Sequence, residues 1–341
     1  MWISSHRSEA VVRVATRLAC ATLVFTTVTC GGSEAPTDPI KQLGPNATFI
    51  KLASDPGDPA GIGKSFEYDQ TNSKIEVIFI GSRIQVIVRG EQQWIGTVAM
   101  ATGTELRPGT YTKVSRFDDT AAGVAGLDWA YEGGACANQV TGSITIDSVR
   151  YSGLDVMALD LHFDQHCDGV TPALRGTIRW RADDTTKPPG PVVPVPTNLW
   201  KPSAASVPTS GNYVVLSSQA GDPIGLGRDT TLTGSVSAVM YGSTHVTVRA
   251  DGYLGEFEAM LGTEPIAVGY YANVTKWFTG NPARPQIHFW TQGRGCGQTT
   301  GWYAIDKIVI TGTSITALEL RFEQHCDGAT AALRGAVHWS N

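Results

Sequence analysis

LDLHFDQHCDGVTPALRGTIRW, residues 159–180, recurs as LELRFEQHCDGATAALRGAVHW at residues 318–339, an offset of 159 positions. In the first copy Leu159, Leu161, Phe163, Gln165 and Cys167 alternate with Asp160, His162, Asp164 and His166. A period of two is that of a strand buried on one side, so the first set faces a core and the second faces solvent. The second copy repeats the split, with Leu318, Leu320, Phe322, Gln324 and Cys326 inside and Glu319, Arg321, Glu323 and His325 outside. Beyond the Asp168-Gly169 pair, Leu174, Gly176, Ile178 and Trp180 alternate with Arg175, Thr177 and Arg179, which predicts an antiparallel hairpin. Keeping the apolar residues on one face sets Cys167 opposite Leu174 and His166 opposite Arg175.

Working outward, GTELRPGTY at 103–111 corresponds to GTEPIAVGYY at 262–271, and GDPAGIG from Gly57 corresponds to GDPIGLG from Gly221. Ile84, Val86 and Val88 alternate with Gln85 and Arg89, as do Val246 and Val248 with Thr247 and Arg249. No segment holds a helical period. The expected fold is all-β, with two tandem antiparallel β-sandwich, jelly-roll-like domains at 46–181 and 198–341. The segment 182–197, rich in proline, reads as an extended linker, and 31–45 as a flexible tether; together they act as spacers that hold the domains off a surface.

Residues 1–30 read as an export signal. Arg7, Arg13 and Arg17 precede the apolar run LACATLVFTTVT, which is too short to span a bilayer, and Cys30 closes it. A cysteine at that place, followed by GGSEAPTDP, resembles a bacterial lipoprotein signal. The resemblance implies lipidation of Cys30 and, with Gly31 after it, sorting to an outer membrane; ordinary signal cleavage would leave a secreted protein. No later segment approaches about 18 uninterrupted apolar residues, so the lipid anchor is the one expected membrane contact. The net charge of -5, without a basic block, argues against nucleic acid as a partner.

Six cysteines are present, and Cys20 and Cys30 belong to the leader. The other four fall two per copy, Cys136 with Cys167 and Cys296 with Cys326, which predicts one disulfide within each domain and an oxidising compartment. Closing a loop of about 30 residues is worth about 3–4 kcal/mol in the chain-entropy model. A metal site joining these cysteines to His166 or His325 is the competing reading. It is weaker because adjacent strand residues point to opposite faces.

FDQHCDG followed by ALRG and a closing Trp, with GDPxGxG, PGTY and a Gly-rich stretch before the first cysteine, resembles a repeat of secreted and surface proteins in several bacterial groups. The resemblance implies a modular surface β-domain and no catalytic residues.

Several constellations are candidates for chemistry. The outward row Asp160, His162, Asp164 and His166 suits acid-base or metal work, but Arg321 stands where His162 would repeat. The bland alternative is a solvated face with Asp164 paired to Arg175 and Glu323 to Arg334. Gln165 and Gln324, buried beside a half-cystine, need partners and are expected to tie a neighbouring backbone. The loops around Asp58 and Asp222 share three glycines and an acid, which suits a turn; the same oxygens would also suit calcium or a polar ligand. No other cofactor is implied, and no metal ligand set is assigned. Trp129, Trp277, Trp290 and Trp302 are candidate sugar-stacking residues if exposed, whereas Trp180 and Trp339 fall on the inward face.

The function expected is that of a surface-anchored, non-catalytic binding or adhesion protein for carbohydrate or another surface ligand, with Asp58 and Asp222 as best-placed contacts. Duplication on a tether favours binding, since linked weak sites gain through effective concentration. A structural envelope spacer and a hydrolase of unrecognised type are the alternatives. If Cys30 is the anchor, mass spectrometry of the mature N-terminus should find a diacylglyceryl-modified Cys30, and Cys30→Ala should move the protein from the membrane to the soluble fraction; an unmodified N-terminus beyond Gly31 would refute the anchor.

Overall fold

The computed structural model describes residues 47–80, 83–100, 106–118 and 123–341; the signal and tether, with Cys20 and Cys30, lie outside the described residues. In the first copy the strands are β1 (Phe49–Ser54), β2 (Ser65–Asp69), β3 (Lys74–Ile80), β4 (Arg83–Arg89), β5 (Gln93–Ala99), β6 (Gly109–Tyr111), β7 (Val114–Ser115), β8 (Ala125–Tyr131), β9 (Val140–Ser152), β10 (Asp155–Cys167) and β11 (Ala173–Arg181). The second copy adds β12 (Tyr213–Ser218), β13 (Thr230–Leu232), β14 (Ser237–Tyr241), β15 (His245–Ala250), β16 (Tyr253–Glu258), β17 (Gly269–Ala272), β18 (Thr275–Lys276), β19 (Gln286–Thr291), β20 (Thr299–Thr311), β21 (Ser314–Cys326) and β22 (Ala332–Ser340).

Each copy is a sandwich of a six-stranded and a five-stranded sheet. The first has the orders β2-β1-β11-β10-β9-β6 and β3-β4-β5-β8-β7, and the second repeats them as β13-β12-β22-β21-β20-β17 and β14-β15-β16-β19-β18. Pairing is antiparallel except where β7 meets β8 and β18 meets β19, which run parallel. The alternation read from the sequence sets the faces. Ile84, Val86, Val88, Leu159, Leu161 and Phe163 all enter one core, and Val246, Val248, Leu318, Leu320 and Phe322 enter a second.

The hairpin register differs from expectation by two residues: Leu174 lies opposite Gln165 and Arg175 opposite Asp164. A shift of two preserves every face, so the alternation could not reveal it. Its cause is the turn. Asp168 (φ 50) and Gly169 (φ 75) are both left-handed, and Val170 N–H closes the turn onto the Cys167 carbonyl at 2.9 Å. Pro172 then has no N–H to give a ladder, and the Ala173 N–H goes to Asp55 Oδ2 at 3.1 Å.

The linker also departs from the expected free spacer. Val192 exchanges two backbone bonds of 2.9 Å with Tyr270 on the edge strand β17, so the segment docks on the second copy. An open sheet edge presents unpaired N–H and C=O groups, and the linker satisfies part of that edge.

One glutamine in each sandwich binds its two sheets together. Gln165, fully buried on β10, accepts the Trp129 N–H of β8 at 2.7 Å and donates to the Trp129 carbonyl at 2.9 Å. Gln324 on β21 does the same to Phe289 of β19, at 2.8 and 2.9 Å. The rings held there stack on the opposite sheet, Trp129 on Phe163 at 5.1 Å and Phe289 on Phe322 at 4.8 Å between centroids. The glycine of ALRG makes room: a Cβ on Gly176 or Gly335 would lie 2.1 Å from the Phe163 or Phe322 ring. Both disulfides form as expected, Cys136–Cys167 and Cys296–Cys326, at sequence separations of 31 and 30. No helix among the described residues is long and apolar enough to cross a membrane.

Removing the glutamine amide would leave a buried N–H and C=O unpaired, at about 1–3 kcal/mol each. Gln165→Ala and Gln324→Ala should therefore each destabilise their own copy by about 2–4 kcal/mol in chemical denaturation. Unchanged unfolding transitions would show that the sheets do not depend on this tie.

Candidate functional site

Asp58 and Asp222 occupy matching loops and both are buried. Asp58 Oδ2 accepts the Ser54 hydroxyl at 2.7 Å and the Gly61 N–H at 2.8 Å, and Oδ1 accepts the Ala60 N–H at 3.1 Å. Asp222 takes Ser218, Gly225 and Ile224 at 2.7, 2.8 and 3.2 Å. Both carboxylates are thus spent on their own loops, and the arrangement is that of a structural turn. Their glycines fit the same account: a Cβ on Gly61 or Gly225 would meet the serine Cβ at 2.4 Å. At the loop tips Ile62 and Leu226 adopt left-handed backbone (φ 50 and 57) and stand exposed. Neither carboxylate is exposed.

The HCDG motif is absorbed by structure as well. Asp168 accepts the N–H groups of Ala137, Asn138 and Gln139 at 2.7–2.9 Å and so closes the loop that carries Cys136. Those backbone donors, with Gln139 foremost, hold its carboxyl below the usual range. Asp327 accepts the Gln298 N–H in the second copy at 2.6 Å.

The outward row is a ladder of ion pairs. Asp164 meets Arg175 at 2.9 Å, Asp160 meets Arg179 and Arg181, and Glu323 meets Arg334. One expected outward residue is an exception. Arg321 is buried, forked onto Asp306 at 2.7 and 2.8 Å and bonded to the carbonyl of Trp200 at 2.9 Å, because the chain entering the second copy covers it. Among the described residues no group of three or more His, Cys, Asp or Glu is placed to hold a metal ion.

The aromatic candidates separate clearly. Trp129 is fully buried, and Trp180 and Trp339 pack against the cores. Trp290 and Trp302 are half-buried, the first beside His288 and the second beside Tyr270. Trp277 is half-buried like these two but has different neighbours. It stacks on His245 at 4.9 Å, His245 lies 5.7 Å from Tyr241, and Phe278 continues the series 5.8 Å from Trp277. Tyr241 is 52% and Phe278 83% exposed. Phe278 also holds a φ of 72, costly for an aromatic residue, and its N–H is bound by the buried Gln286 side chain at 2.8 Å. The fold therefore maintains a strained turn that exposes a large apolar ring.

Polar groups support this row of rings from beneath. On the outer face of the five-stranded sheet Thr247 lies opposite Glu256, and Glu256 opposite His288. Glu256, 6% exposed, bonds His245 Nε2 at 2.5 Å and accepts the Thr247 hydroxyl at 2.7 Å, which fixes the imidazole in the stack. Burial, and then the charge of Lys276, hold the His288 imidazole below its ordinary range.

The same corner of the first copy carries different groups. The Arg83 guanidinium lies over Phe117 at 5.4 Å, Arg116 pairs with Asp128 at 3.2 Å, and Thr97 takes the place of Glu256. Burial raises the Asp128 carboxyl, against the opposing pull of Arg116. Both copies thus set a basic side chain on an aromatic ring where the core does not require it.

Of this cluster the sequence singles out Trp277 alone. His245, Glu256 and Phe278 carry no motif, and the usable signal is the exchange of Thr97 for Glu256 between otherwise matching strands. Comparison with protein-family models, with curated proteins and with solved structures finds no match to this chain.

If Asp58 and Asp222 are turn formers, Asp58→Asn and Asp222→Asn turn an amide N–H toward donors that need an acceptor. Each should destabilise its own copy by about 1–3 kcal/mol while leaving any ligand bound by the other copy untouched. Wild-type unfolding together with a lost ligand would assign the loops to binding instead.

Proposed function

We propose that this protein is an exported binder, without catalytic activity, that takes carbohydrate through the row Tyr241, His245, Trp277 and Phe278 on its second copy. The exposure of Phe278, held in a strained turn, carries this reading: a monomeric β-domain has no folding reason to maintain it. Sugar rings present apolar C–H faces that stack on aromatic rings, and this surface offers such rings. Glu256 is nearly inaccessible and already engaged by two donors, which suits orienting His245 and not attacking a bond.

The two intradomain disulfides are compatible with an extracellular location. Attachment to an outer membrane through lipidated Cys30, and membership of the bacterial surface repeat described above, complete the proposal. The first copy, with Arg83 over Phe117, would serve as a second and chemically distinct contact.

A glycan array probed with the whole chain tests this. Trp277→Ala and Phe278→Ala should each weaken the strongest signal by about tenfold, near 1.4 kcal/mol, with no change in unfolding. Retention of full binding by both variants would remove the aromatic row from the site.

A further inference from the structure

The turn that carries Trp277 and Phe278 has a second side. Residues 274–276 and 279–281 form one wall of a cleft of about 700 Å³ whose other walls are residues 90–93 and 131–133 of the first copy and 297–300 of the second. That volume lies within the range of small-molecule sites. The first copy also pins this turn. Gln93 Nε2 donates to the Thr279 carbonyl at 3.1 Å, and the buried Asn281 donates through Nδ2 to the Asn72 carbonyl at 2.7 Å.

The chemistry of the lining is specific in two respects. Glu91 and Glu132 are balanced by Lys276 and Arg284, the remaining lining residues being uncharged, so the cleft selects neither a polyanion nor a polycation. The remainder is largely amide and hydroxyl, including Gln92, Gln298 and Thr300. Thr300, near the start of β20, is the exposed hydroxyl of the 297–300 wall.

We propose that the cleft is a second binding site, for an uncharged hydroxyl-rich ligand, and that it takes further residues of the same oligosaccharide chain that stacks on Trp277. The proposal rests on the carbohydrate reading above. It makes the pair of copies the functional unit, since one strip of chain, 274–281, carries the rings Trp277 and Phe278 and also lines the cleft with Thr275, Lys276 and Thr279.

The test is calorimetric titration of the whole chain with neutral gluco-oligosaccharides, from the monosaccharide to the hexasaccharide. Affinity should rise by about tenfold or more with chain length. Gln298→Ala and Thr300→Val should abolish that rise while leaving disaccharide binding intact, and Trp277→Ala should weaken every member of the series. Thr300→Val keeps the side-chain shape and removes only an exposed hydroxyl, so a merely structural residue would show no loss. Affinity independent of length, or unaltered by both cleft variants while Trp277→Ala still weakens it, overturns the cleft site alone. Failure of the wild-type chain to bind any member of the series overturns the carbohydrate reading and this proposal together.

Discussion

The amide of Gln165, and of Gln324 in the second copy, is the interaction on which each sandwich depends. Two sheets packed face to face are held mainly by apolar contact, which is strong but tolerant of sliding. A fully buried amide that binds one backbone N–H and the carbonyl of the same residue on the facing sheet tolerates very little displacement. Around it the other shared features take their places. The half-cystine two residues along ties the next loop, the aspartate after it closes that loop, and a glycine on the neighbouring strand admits the phenylalanine ring beneath the clamped aromatic residue.

This explains why the two copies agree most closely in their last strands. That segment combines the clamp, the disulfide and the loop closure, so a change at one position leaves another group buried and unpaired. The outer face of the five-stranded sheet carries no such obligation. There Thr97 stands where the second copy has Glu256, Arg83 where it has His245 and Phe117 where it has Trp277, and the groups differ without disturbing the core below. Conserved interior and divergent exterior together make a duplicated scaffold able to present two different surfaces.

The candidate site was only partly legible beforehand. Trp277 stood out as an aromatic residue near a turn, yet Trp129 stood out equally and is fully buried, because exposure depends on which strand covers which ring. Asp58 and Asp222 read as ligand contacts from the sequence, and in the fold each acid turns back on N–H groups of its own loop. Arg321 read as a surface cation and is covered by a segment more than a hundred residues earlier in the chain.

What the sequence determined by itself was local and repetitive. A period of two assigns strands and faces, a duplicated pair of cysteines assigns disulfides, and a buried glutamine among apolar residues demands a backbone partner. These follow from the geometry of one strand and from the cost of unpaired polar groups. The tertiary structure decided the register, the docking of the linker, the partner chosen by Gln165, and the assembly of His245, Glu256 and Trp277 from three separate segments. Such matters depend on which surfaces meet across the fold, and a turn shortened by two residues, or a loop crossing from a distant part of the chain, alters them while leaving the alternation along each strand untouched.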